Sequence, residues 1–351
     1  MEPFDYDALP GRVIFGVGRR SEVGEEVDRL HATRVLLIAD AHDQETIDQV
    51  VTVLGERCVG IFTEVAQHVP MMLAQKVRAL ATSSDADATV TLGGGSATGF
   101  GKAVALTHEL PQVCIPTTYA GSELTPIWGT SSGEVKETGR DLRVLPRSVI
   151  YDPELTLGLP ISIAGPSAMN ALAHAVEGLY GPGANPVMSA IALESVRVLA
   201  THLPLMKVSP TSIEERSQVL YGAYLAGAVL AVVGTALHHK TCHVLGGLYG
   251  LDHGQMNAVV LPHALAFNES AIPEAYQRLS SVLGGDAAGE LYDLARTLDT
   301  PSSLLELGMP LEGVQRAAPL VVAASASNVR SINEAQAIEF LSSCVEGARP
   351  S

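Results

Sequence analysis

Strand signals alternate with helical ones through the first 159 residues and then stop, and this change of rhythm constrains the fold more than any other feature. Residues 34–40 form an apolar strand that ends in the carboxylate of Asp40, and residues 88–92 form another that ends at Gly93-Gly94-Gly95-Ser96. A third, residues 112–116, runs into Thr117-Thr118, and helical segments at 46–54 and 71–81 lie between the strands. Strands separated by helices form a parallel sheet covered on both faces. Beyond Leu159-Pro160 the chain reads as long Ala/Leu-rich helices at 167–180, 186–202 and 214–233, with no regular strand array. The 351 residues therefore divide into an α/β Rossmann-like nucleotide-binding domain at 1–159 and an all-α domain at 160–351. There is no internal repeat, low-complexity tract or coiled-coil heptad.

A formal net charge of −16 argues against nucleic acid and anionic membrane surfaces as partners, so any anionic ligand needs a local basic pocket. Cys58, Cys114, Cys242 and Cys344 show no C-x-x-C pairing, which fits reduced thiols in the cytoplasm. The acidic opening Met1-Glu2-Pro3-Phe4-Asp5 does not read as a signal peptide. Residues 217–237 carry no charge and reach transmembrane length, but Gln218 and three glycines suit a buried helix better.

Gly94, Gly95 and Ser96 sit between a buried strand and a helix, where backbone N–H groups can approach a pyrophosphate. The run is not a G-x-G-x-x-G fingerprint, because the sixth position is Thr98, nor a Walker A loop, although Lys102 follows. A structural turn remains the alternative. A carboxylate at Asp40 can accept from a ribose 2′-hydroxyl and repels a 2′-phosphate, which favours NADH and leaves NADPH the lesser cofactor. Its competing reading is a loop cap.

In the second half, His239 and His243 lie four residues apart on one helical face, and His253 follows after Gly246-Gly247 and Gly250, where the chain can turn back. Asn170 and His174 form a second i, i+4 pair upstream, so two helices can converge on one point. Zinc or iron(II) would want three or four N/O ligands there. A neutral amide at Asn170 is a poor ligand, and a histidine pocket that works by proton transfer needs no metal. Lys240 adds positive charge beside the same face. Arg140, Arg143 and Arg147 form a basic cluster that is either a solvated loop or a carboxylate clamp.

At these residues the sequence resembles the iron-containing alcohol dehydrogenase superfamily and, within it, the maleylacetate reductases. The resemblance runs nearly the full length. It is carried by Gly93–Ser96, the Thr-Thr segment Pro116–Glu123, Thr125–Gly129, Thr138–Asp141, Val144–Arg147, Tyr151–Thr156, Asn170–Glu177, His238–Gly247 and Val259–His263. It implies a dehydroquinate synthase-like architecture, NADH as cofactor, a small dicarboxylate substrate, conversion of maleylacetate to 3-oxoadipate, and a homodimer. Thr117, Thr118 and Ser122 fall on the nucleotide segment. The family's metal-holding places fall on Asn170, His174, His239 and His253, and Asn170 in place of an aspartate leads to the expectation of no tightly bound metal. His243 falls on the proton-relay position. His174, His239, His253 and Lys240 become the candidates for stabilising an enolate oxyanion, with Arg140, Arg143 and Lys240 for the substrate carboxylates. Gly99 stands where the family has an acidic residue, and Asn328-Val329-Arg330 where the subgroup has Asn-Pro-Arg. A metal-dependent alcohol or polyol dehydrogenase and a dehydroquinate synthase-like lyase stay open as alternatives.

Overall fold

In the computed structural model of the chain, which describes residues 4–9, 11–41, 43–133 and 135–350, backbone packing separates two compact units. One runs from Leu9 to Leu159, and the other from Pro160 onward together with residues 4–8.

The first unit is built on a six-stranded, all-parallel sheet of β1 (Arg12–Phe15), β2 (Val35–Ala39), β3 (Cys58–Phe62), β4 (Ala88–Gly93), β5 (Gln112–Pro116) and β8 (Ser148–Tyr151). Their order across the sheet is β1-β8-β5-β4-β2-β3. Every residue of β2, β4 and β5 is buried, which is why these strands read as continuous apolar runs rather than alternating ones. Alternation still sorts the side chains. Val35, Leu37 and Ala39 join one core with Ile47, Val50 and Leu54 of α2 (Gln44–Leu54), packed beside α1 (Val23–Arg29). Leu36 and Ile38 join the opposite core with Val77 of α3 (Met71–Ser83) and with Phe100 and Val104 of α4 (Gly95–His108).

Sequence periodicity missed β1, β3, β8 and the antiparallel pair β6 (Ile127–Ser132) and β7 (Val135–Arg140). β1 and β3 are only partly buried and so lack the continuous apolar run that marks β2, β4 and β5, and β8 is only four residues long. The basic cluster, read as either a solvated loop or a carboxylate clamp, begins inside β7, whose Arg140 pairs with Ile127.

The second unit contains α5 (Ile161–Glu177), α6 (Pro186–Val208), α7 (Ile213–Val233), α8 (Leu237–Tyr249), α9 (His253–Asn268), α10 (Pro273–Leu283), α11 (Ala287–Thr297), α12 (Gly313–Ala324) and α13 (Glu334–Glu346). α5 is wrapped almost completely: thirteen of its residues, from Ala164 to Glu177, are buried. α7 has the length and hydropathy of a membrane span, yet 61% of its apolar window is buried among its neighbours, as in a core helix. Gly250 takes the left-handed conformation (φ 64°) and ends α8. Asp252 then accepts from Gln255 N and caps α9, so His253 is its first residue.

α6 and α7 approach closely at Gly222, whose carbonyl accepts from Ser195 Oγ at 2.8 Å. A Cβ there would lie 2.7 Å from Leu199 Cγ. Gly222→Ala is expected to overpack this contact and cost about 1–3 kcal/mol. The urea unfolding midpoint should fall with the slope unchanged, and an unchanged midpoint would mean the helices can slide apart freely.

Candidate active site

Two groups of residues, one in each unit, carry the chemistry. In the first unit the carboxyl ends of β2, β4 and β5 lie side by side, with Ala39 paired to Leu92 and Gly93 to Pro116. Asp40, Gly94–Ser96 and Thr117–Thr118 therefore emerge at one edge. From this point the chain leads from β2 to β3 on one flank and from β4 to β5 on the other, the switch point where open α/β sheets bind ligands. Gly93 has φ 147°, and a Cβ on it would meet Ala97 Cβ at 2.9 Å and Asp40 Cβ at 3.2 Å. A side chain at 93 would thus push the helix from the strand. α4 starts at Gly95 with no side-chain cap, so its first-turn N–H groups can face an anion. Gly99 follows from packing: a Cβ would sit 2.7 Å from Val69 Cγ2, in space Val69 already fills.

Lys102 is placed otherwise than expected for a phosphate ligand. It is 1% exposed, and Nζ donates to the carbonyls of Ser122 (2.6 Å), Thr125 (2.8 Å) and Ile127 (2.7 Å) and to Thr125 Oγ1 (3.0 Å). The ammonium thus ties the loop bearing Ser122 to α4. Glu123, also buried, accepts from Tyr151 Oη at 2.7 Å. Arg143 is likewise committed: it makes a bidentate pair with Asp141 (3.1 and 2.6 Å) and reaches Glu109 at 3.3 Å. As a carboxylate clamp it would have to exchange these two carboxylates for those of a substrate, and its side chain is 48% exposed. Arg140 is exposed on β7.

The histidines lie in the second unit. α5 presents Asn170, His174 and Glu177 on one face, and α8 presents His239 against them. The rings of His174 and His239 stack at 4.4 Å, 10° apart. His243 and His253 form a second ring pair, exposed and near parallel, with centroids 6.1 Å apart. Lys240 is half-buried beside them. The four histidines thus differ in burial, with His174 and His239 inside and His243 and His253 at the surface, but lie close enough for a charge on one to act on the others.

Hydrogen-bond chemistry assigns the protons of the buried group. His253 O lies 2.7 Å from Asn257 Nδ2, and a carbonyl only accepts, so that atom is the amide nitrogen. Asn257 Nδ2 also donates to Asn170 Oδ1 at 3.0 Å, which identifies the Asn170 oxygen. His238 Nε2 must donate to Asn257 O (3.1 Å), and His239 Nδ1 must donate to Glu177 Oε2 (2.7 Å). Burial, reinforced by the neighbouring histidines, drives the His174 and His239 imidazoles well below their ordinary range, and burial takes His238 down to about 3. All three are neutral at pH 7. His239 Nε2 is therefore a bare lone pair, and it faces the lone pairs of Asn170 Oδ1 at 3.4 Å. His174 Nδ1 is buried beside them without a partner. Acceptors turned on one another in a buried space fit a cation, and three neutral N/O donors suit a divalent one. His239 cannot donate to an oxyanion, which corrects that part of the expectation.

Glu177, His238 and Asn257 were not singled out in the sequence. The signal for Glu177 was present, since residues 170, 174 and 177 share one helical face. His238 and Asn257 act through partners that no spacing reveals.

A profile for iron-containing alcohol dehydrogenases matches residues 10–153, and one for the C-terminal part of the Fe-containing alcohol dehydrogenase family matches residues 165–345. The chain belongs to the iron-containing alcohol dehydrogenase family. It is 46% identical to a maleylacetate reductase of Sphingobium indicum, over 99% of both chains. It is 44% identical to one of Burkholderia cepacia over the full length of both. The crystal structure of maleylacetate reductase from Agrobacterium tumefaciens superposes with a TM-score of 0.97, at 42% identity over all of both chains. The α/β-plus-helical, dehydroquinate synthase-like architecture is that of this family. Family membership also overturns the expectation of no tightly bound metal, because these are iron-containing enzymes and a suitable cluster is present. Glu177, His238 and His239 also bring three atoms of ligand type within 4.8 Å of one another, of which Glu177 and His239 Nδ1 are engaged with each other. The loss of the aspartate at position 170 misled because an amide keeps an oxygen lone pair directed at His239.

Lys102 supplies a prediction with a definite sign. Burial lowers its ammonium to about 8 from 10.5, so between those values the folded state binds fewer protons than the unfolded one. Stability contributed by this group rises with pH across that window. Lys102→Met removes the dependence. Urea unfolding of both proteins at about pH 8 and about pH 10 should show wild type gaining on the variant, and parallel pH profiles would contradict the buried charge.

Proposed function

We propose that this chain is an NAD(P)H-dependent oxidoreductase that reduces the C=C bond of maleylacetate to give 3-oxoadipate. Full-length likeness to maleylacetate reductases, at 41–46% identity, is the observation that carries this reading. NADH is the preferred cofactor, because a carboxylate at Asp40 follows β2 at the switch point and suits a ribose hydroxyl better than a phosphate. Gly94, Gly95 and Ser96 would hold the pyrophosphate, and Thr117, Thr118 and Ser122 the adjoining part of the nucleotide. A cytoplasmic homodimer fits the family resemblance, and the four free cysteines fit a reducing compartment.

The metal would be held by His239 Nε2, His174 and Asn170 Oδ1, to which the resemblance adds His253. When bound, NAD(P)H is the hydride source and iron a Lewis acid toward a carbonyl oxygen. Reduction of the alkene consumes one hydride and one proton, and the enolate charge develops on the conjugated carbonyl oxygen. Lys240 is the residue we assign to a substrate carboxylate, as the cation on the histidine-bearing helix. His243 is exposed one turn beyond His239 and can deliver the proton from outside the buried group. The buried, stacked rings of His174 and His239 line the site, and the bond from His239 Nδ1 to Glu177 leaves the His239 Nε2 lone pair turned inward.

The direct test follows the loss of NADH absorbance on adding maleylacetate and identifies the product. Maleylacetate-independent oxidation of simple alcohols would instead favour an alcohol dehydrogenase. Asp40→Gly is expected to narrow the preference for NADH over NADPH, and an unchanged ratio of kcat/KM values would remove Asp40 from the ribose site. His243→Ala should lower turnover by about 10²–10⁴-fold while NADH affinity, read by fluorescence titration, stays near wild type. Retention of most turnover would move the proton donor elsewhere.

A further inference from the structure

We infer that Glu177 is the positioning residue of the metal seat: it caps the helix that carries His239 and fixes His239 as the tautomer with a bare Nε2. This rests on the reading of the buried histidines as metal-bearing. Glu177 and His239 are 0% and 2% exposed, so water cannot substitute for either partner. The carboxylate comes from the last turn of α5, and its two oxygens do different things. Oε1 accepts the backbone N–H of His238 at 2.8 Å, in the first turn of α8. That turn has no cap of its own, because its N-cap residue is Ala236. A carboxylate supplied by another helix thus meets the positive end of the α8 dipole. Oε2 takes the Nδ1 proton of His239 at 2.7 Å.

The two bonds act together. One fixes where α8 begins relative to α5, and the other fixes the rotation and tautomer of the ring one residue further on. With Nδ1–H committed to Glu177, the lone pair of Nε2 must point toward Asn170 Oδ1, 3.4 Å away. In the other tautomer His239 Nε2–H would donate to Asn170 and close the seat, while the bare Nδ1 would meet a carboxylate oxygen at van der Waals overlap. Both carboxylate oxygens already receive N–H donors, so Glu177 acts through His239 and not as a ligand. A carboxylate behind a ligating imidazole fixes ring orientation and raises its basicity, and loss of such a partner typically costs about 10–100-fold in metal affinity.

The test has two arms, both on the full-length protein. In the first, wild-type protein labelled with ¹⁵N-histidine is stripped of metal, and long-range ¹H–¹⁵N correlation reads each ring, with His239 assigned by its absence in His239→Gln. A protonated Nδ1 and bare Nε2 are expected; the opposite tautomer overturns the proposal without any variant at position 177. In the second, zinc(II) is titrated against a chromophoric chelator. Glu177→Gln should retain the wild-type stoichiometry with affinity lowered about 10–100-fold and a His239 tautomer that is no longer uniform. Complete loss of zinc from a variant that still binds NADH would make Glu177 a ligand, and unchanged affinity with an unchanged tautomer would make it a bystander. Wild-type protein that binds no zinc would defeat the metal-bearing reading itself, whereas the tautomer arm stands independently of it.

Discussion

A single buried carboxylate organises the helical unit's chemistry. His174, His238 and His239 crowd together buried from bulk solvent, where protonating any of them would leave a charge poorly solvated and close to other imidazoles. Neutral rings are the consequence, and a neutral ring has one donor and one acceptor, whose order must be imposed from outside. Glu177 imposes it on His239, and Asn257 does so on His238 and Asn170 through the His253 carbonyl. Of the acceptors left over, His239 Nε2 and Asn170 Oδ1 turn toward each other, and His238 Nδ1 lies against His239 Nδ1. A pocket assembled to work by donating hydrogen bonds would show the reverse pattern, with protons pointing inward and carbonyls behind them.

The nucleotide-bearing unit uses the opposite device. Its organising charge is a cation, Lys102, set among carbonyl oxygens of the loop that carries Ser122. Burying an ammonium is costly unless its protons are all accepted, and four acceptors surround this one. The outcome is a loop held against α4 beside the bare amides of that helix's first turn. Both halves therefore place a charged group, hydrogen-bonded to neutral partners, behind the groups that face a ligand, which limits how far those groups can relax when the ligand is absent.

Glycine and proton chemistry set the limits on substitution. Gly93 cannot carry a side chain without separating Asp40 from Ala97, and Gly99 cannot carry the family's acidic residue unless Val69 retreats. Asn170 can replace an aspartate in the metal-facing position only because Asn257 holds its amide nitrogen away and leaves the oxygen toward His239. Substitutions that look disabling in the sequence are thus tolerated where a neighbour supplies the missing orientation.

The linear sequence determined the α/β-then-α order, because buried parallel strands must be apolar on both faces and so stand out as continuous runs at 35–39, 88–93 and 112–116. It also determined the Gly-rich turn, the i, i+4 histidine pairs and the resemblance that names the family. Local spacing encodes all of these. Tertiary structure alone decided that Lys102 and Arg143 pair with groups of this chain, that His174 and His239 are buried while His243 and His253 are exposed, and that Glu177 and His238 belong to the site. These depend on which residues the fold brings together, as where His239 meets Glu177 across 62 positions of chain and Asn170 across 69, and on which nitrogen carries a proton. No periodicity records a proton; it is placed by the carbonyl or carboxylate that the fold brings opposite.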